Sequence, residues 1–98
     1  MIDQSQASRL AREGFDLWRA GKLDESVAKY QQALLLANPD HYALADYHGE
    51  FAGVLATLGR DAEALEQYRE AVAVLANTEK KRANVRERLA HVLNWEAG

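Results

Sequence analysis

An all-α chain, an array of antiparallel helix pairs with five helices in one domain over residues 1–98, is the fold class the sequence predicts. The first observation behind it is an internal repeat. Gly21, Tyr30 and Ala33 recur as Gly59, Tyr68 and Ala71, each 38 residues further on, with an acidic turn and an aliphatic residue between them both times. A helical unit written twice at that period points to stacked pairs rather than a single-copy globule. The second observation is composition: one proline, six scattered glycines, and many Ala, Leu, Glu, Arg and Gln residues favour helix. The third is the lack of strand signals, with neither alternating β-branched runs nor Asn-Gly or Asp-Gly turns.

Taken in order, helix one is expected to open after Asp3 or Ser5, whose side chains accept bonds from orphan N–H groups. It ends near Ala20, where Gly21 supplies a left-handed stop. Leu10, Ala11, Gly14, Leu17 and Trp18 form its apolar stripe. Helix two opens around Asp24, with Glu25 at the positive end of the helix dipole. Its buried face is Val27, Tyr30, Ala33, Leu34 and Ala37. Asn38-Pro39 reads as a stop and a start, Asn as cap and Pro at the first position of helix three. Leu44, Tyr47, His48, Phe51, Ala52, Leu55 and Leu58 carry that helix to Gly59. Asp61 caps helix four, with Ala64, Leu65, Tyr68, Ala71, Val72 and Leu75 facing inward. Asn77-Thr78 reads as another stop and cap, so helix five runs from about Glu79 to Trp95 with Val85, Leu89, Val92 and Leu93 on one face. Connections this short join antiparallel neighbours.

Composition narrows the function classes. The chain is 48% apolar and 28% charged, ordinary for a folded soluble domain. A net charge of −3 supplies no general pull toward nucleic acid or anionic membrane. The absence of cysteine removes disulfide frameworks and thiolate metal sites. The N-terminal residues have neither the basic nor the apolar region of a secretory signal, and the longest apolar run, Ala33 to Ala37, is far short of a membrane span. A cytoplasmic protein or domain is the expectation.

The repeated residues resemble the tetratricopeptide repeat, a helix–turn–helix unit of 34 residues. Counted from Ala7, the family's large residue at the fourth place, small at the eighth, large at the eleventh, small at the twentieth, aromatic at the twenty-fourth and Ala at the twenty-seventh are matched by Leu10, Gly14, Leu17, Ser26, Tyr30 and Ala33. Counted from Ala45, they are matched by His48, Ala52, Leu55, Ala64, Tyr68 and Ala71. Glu13 and His48 depart from the apolar pattern, and the second copy has no closing proline. The four residues beyond the family period are expected as an extra turn of helix three around Pro39 to Tyr42. The resemblance implies a right-handed array, with repeat one at about 7–40, repeat two at about 41–78 and a capping helix at about 79–96.

No enzyme is expected, and no cofactor. His41, His48 and His91 are dispersed, and His48 reads as a packing histidine at a core position. No Gly-rich phosphate loop, nucleophile elbow or His-Glu-x-x-His occurs. Lys80, Lys81, Arg82, Arg86 and Arg88 make helix five basic, but without aromatic stacking partners this reads as a solvated face. The resemblance implies instead a protein or peptide partner in a concave groove lined by helices one, three and five. Its residues would be Arg12, Phe15, Arg19, Glu50, Gly53, Arg88, His91 and Trp95. Phe15 and Trp95 would anchor, the arginines would grip carboxylates, and Glu50 would repel acidic ligands. Gly49 and Gly53 read equally as a smooth strip of that groove or as close packing against a neighbouring helix. The carboxylate clamp for chaperone tails is not matched, since Ala11, Phe15 and Glu50 stand at its positions. The competing expectation is a structural module that self-associates as a homodimer, or a slice of a longer array, excised or idealised. Two repeats and a cap fall short of the three or so such arrays need for independent stability.

Overall fold

Four helices build the fold in the computed structural model, which describes residues 1–97, with side chains described for all but Arg88 and residues 91–97. They are α1 (Gln4–Arg19), α2 (Leu23–Leu36), α3 (Leu44–Thr57) and α4 (Asp61–Ala97). No strand occurs among the described residues. α1 packs along α2, α3 packs along α4, and α3 also lies against α2, so the two pairs stack side by side.

Both intra-pair turns close in the same way. Gly21 and Gly59 sit at φ +80°, a region closed to most side chains. Each lets the chain reverse over the end of its helix. Lys22 N–H donates to the Leu17 carbonyl at 2.8 Å, and Arg60 N–H donates to Leu55 at 2.9 Å. These six-residue bonds satisfy the last helical carbonyls. At the start of α1, the Asp3 carboxylate accepts the Gln6 N–H at 3.1 Å, so Asp3 rather than Ser5 is the cap.

The core is centred on Tyr30. It is fully buried, with its ring under Gly14 and stacked on Phe51 at 6.0 Å between centroids. Buried Ser26 donates its hydroxyl to the Gly14 carbonyl at 2.7 Å, clamping α2 onto α1. Small residues at 14, 26 and 33 are what allow this approach. His48 is partly buried and pairs through Nδ1 with Gln67 Oε1 at 2.7 Å, as expected of a packing histidine.

The structure corrects the helix count. Helices four and five are one 37-residue helix. Asp61–Ala97 contains neither Gly nor Pro, and Asn77 occupies the place 38 residues after Pro39. Thr78 caps nothing: its hydroxyl donates back to the Val74 carbonyl at 3.0 Å. Asn and Thr inside a helix cost only about 0.7 kcal/mol each, too little to break it. Leu65, Tyr68, Val72 and Leu75, expected to face inward, are exposed, while Ala64 and Ala71 are buried.

The second correction concerns the junction of the repeats. Residues 38–43 form successive turns, and α3 starts only at Leu44. The Asn38 side chain accepts the Asp40 N–H at 2.9 Å, and its carbonyl accepts the His41 N–H at 3.0 Å. The residues beyond the family period thus enter a loop, not an extra helical turn.

Two glycines test the packing. A methyl on Gly14 would lie 2.9 Å from Tyr30 Cε2, whereas one on Gly49 would meet nothing within 4 Å. Gly14→Ala is therefore expected to cost about 1–3 kcal/mol by displacing the ring. Gly49→Ala is expected to raise stability by up to about 1 kcal/mol through helix propensity. Urea unfolding of both variants measures the difference.

Candidate groove between helices one and three

α1 and α3 run side by side along one wall, joined directly at its two ends and through α2 between them. At the N-terminal level, Gln4 Nε2 donates to the Tyr47 phenol oxygen at 3.1 Å, and the Ser8 and Tyr47 hydroxyls share a bond of 2.9 Å. Gln4 Oε1 also accepts the Asn38 N–H at 2.9 Å, tying the junction loop to the same point. At the middle level, Tyr30 reaches up from α2 and donates its hydroxyl to Glu50 Oε1 at 3.1 Å. At the far level, the Trp18 indole lies over Gly53, where a methyl would come within 2.7 Å of it.

That contact decides between the readings of the two glycines. Gly53 is a packing residue that admits Trp18, so it does not present a bare strip to a ligand. Gly49 is the open one.

Among the other expected residues, Arg12 is exposed and makes no ion pair among the described residues. Phe15 is 37% exposed and meets Trp18 edge-on at 6.1 Å between centroids. The Arg19 guanidinium lies 5.9 Å from the Phe15 ring centroid, within cation–π range. Phe15, Trp18 and Arg19 line a shallow depression of about 350 Å³. Ser8, Arg12, Phe15 and Arg19 fall at helical spacing on one stripe of α1.

Glu50 is half-buried, and its first partner is internal. Burial pushes its carboxyl above the ordinary value of 4.5, the Tyr30 bond opposes the rise, and Asp46 adds to it. Burial likewise pushes the Tyr30 phenol well above its usual range, with Glu50 and Asp16 adding to the effect. The wall is thus divided: arginines on α1, carboxylates of Asp46 and Glu50 on α3.

Arg88, His91 and Trp95 lie outside the residues whose side chains are described. The backbone bearing them belongs to α4, so no separate fifth helix forms a third wall. Sequence reasoning did not foresee the Tyr47 and Gln4 bonds or the Tyr30–Glu50 pair. Each joins residues 20 or more apart in sequence, with no local signal. Among the described residues no group of three or more His, Asp or Glu could hold a metal ion, and no helix is long and apolar enough to cross a membrane.

Comparison with family models finds a match to the tetratricopeptide repeat over residues 6–77. That is most of the chain. The protein belongs to the tetratricopeptide repeat family. Comparisons with curated proteins and with solved structures returned no match. Tetratricopeptide repeats generally mediate protein–protein interaction and are typically non-catalytic. The matched span ends at residue 77, within α4, and the rest of that helix lies beyond it.

Glu50 gives a pH test. An acid raised in the folded state holds its proton to higher pH than in the unfolded chain. Folding then takes up a proton, and stability from this group falls as pH rises through the window above 4.5. Glu50→Gln keeps an acceptor for Tyr30 without the charge. Its Tm is expected to exceed that of the wild type by a few degrees at pH 7, with the gap closing toward pH 4. Thermal melts across that range read both values.

Proposed function

We propose that this tetratricopeptide repeat protein is a non-catalytic adaptor that binds an extended peptide or protein segment along the wall of α1 and α3. One unit would comprise repeats at about 7–40 and 41–78 with the terminal segment following, in a cytoplasmic setting. The observation carrying this reading is the exposed stripe of Arg12, Phe15 and Arg19, on a helix locked from behind by Ser26 and Tyr30 of α2 and seated against Gly53 of α3 through its own Trp18. Side chains fixed on a rigid element lose little entropy when a ligand arrives. Phe15 offers apolar area, with Arg19 across its ring. Arg12 supplies an unpaired cation for a ligand carboxylate. On the opposite helix, Asp46 and Glu50 favour a basic or neutral stretch of the ligand, so its polarity fixes its orientation.

A second reading, self-association, is favoured by a different surface: the uncovered apolar face of α4.

Selection from a random peptide library, followed by titration of the enriched peptides, tests the groove. Phe15→Ala and Arg12→Glu are each expected to weaken binding at least about tenfold. Both residues are exposed, so Tm should move by no more than a few degrees. Variants that unfold, or peptides that bind the variants as well as the wild type, would remove the assignment.

A further inference from the structure

We propose that α4 completes its packing with a second copy of the chain, each copy laying the C-terminal half of its α4 on the exposed N-terminal half of the other's. This interface is independent of the α1–α3 wall.

The internal repeat itself shows what is missing. Advancing 38 residues takes Val27, Tyr30, Leu34 and Ala37 of α2 to Leu65, Tyr68, Val72 and Leu75 of α4. In the first repeat, α3 lies against α2, leaving Val27 6% and Tyr30 0% exposed. In the second, Leu65 is 50%, Tyr68 46%, Val72 64% and Leu75 57% exposed. The slot that α3 fills on α2 is therefore vacant on α4.

The chain also carries a helix suited to that slot. A further step of 38 takes Tyr47, Phe51 and Ala52 of α3 to Val85, Leu89 and Ala90. Tyr47 and Phe51 are buried, whereas Val85 and Leu89 are exposed on the projecting half of α4. Slot and filler belong to one unbroken helix of 37 residues and about 55 Å, close to the 61 Å length of the molecule. A straight helix cannot fold onto itself, so within one copy the two faces never meet.

Charge selects the same occupant. Residues 1–78 hold 12 acids and 7 bases, and residues 79–98 hold 3 acids and 5 bases. The basic half of α4 from one copy is thus drawn to the acidic body of another. An antiparallel pairing that sets Val72 opposite the second copy's Val85 also sets Tyr68 opposite its Leu89. The two-fold axis then passes between Thr78 and Glu79. Each copy supplies the same two patches, as a closed two-fold interface requires.

Light scattering on the intact chain is expected to give twice the mass of one chain at micromolar concentration. Val72→Glu and Leu89→Glu should each yield monomers of unchanged helix content, because both positions are exposed in the single copy. The double variant Val72→Cys/Val85→Cys reads the geometry, since the chain has no cysteine of its own. Oxidation is expected to give a covalent dimer on a non-reducing gel. A covalently closed monomer would mean that the chain breaks near Asn77 and folds back on itself, overturning the proposal. So would a wild type that stays monomeric, or a dimer indifferent to Val72→Glu and Leu89→Glu, which would place another surface in contact.

Discussion

The contact between Tyr30 and Gly14 sets the geometry of everything else. The phenol ring occupies the space that a side chain at Gly14 would need, and in doing so brings α2 close enough for Ser26 to bond the Gly14 carbonyl. The same ring stacks on Phe51, which seats the second pair on the first. Its hydroxyl ends on Glu50 at the inner wall. One side chain therefore runs from the outer helix through the core to the candidate groove. A perturbation of Tyr30 reaches both repeats together, because each holds part of its cage.

Much of this was legible in the sequence for identifiable reasons. The turns at Gly21 and Gly59 were readable because a left-handed stop admits few residues besides glycine. The close approach of α1 and α2 was readable from the small residues at fixed spacing. The fused α4 was not, since Asn77-Thr78 is only a weak stop and Thr78 can satisfy itself on the preceding turn. The junction loop was misread for a related reason: Asn38-Pro39 permits either a cap or a chain of turns, and the bonds of Asn38 and His41 decide it. At the candidate site, exposed Arg12 and the partly exposed Phe15 follow from helical register alone. The roles of Glu50 and Gly53 do not, because they are set by Tyr30 and Trp18, which arrive from other helices.

The two ends of the array differ in how they are finished. At the first repeat, Gln4 bonds Tyr47 and Asn38, and the Asp3 N–H donates to the Leu36 carbonyl at 2.8 Å, so the start of α1 is stitched to the junction. Beyond the second repeat, the exposed Lys81 of α4 reaches Asp40 of the junction loop at 2.9 Å. An exposed pair of that kind contributes at most about 1 kcal/mol. Among the residues whose side chains are described, apolar burial, the main stabilising term in folding, is concentrated in residues 7–71.

Gly53 has a consequence for the shape of the array. The indole of Trp18 rests against its bare backbone, so the far ends of α1 and α3 meet across this contact. The spacing of the two helices at this level therefore leaves no room for a further layer of atoms. A bulkier residue there would act as a shim, levering the far ends apart while Tyr47 holds the near ends together. The seating of α1 on α3 in this molecule depends in that sense on one hydrogen atom standing where a methyl could be.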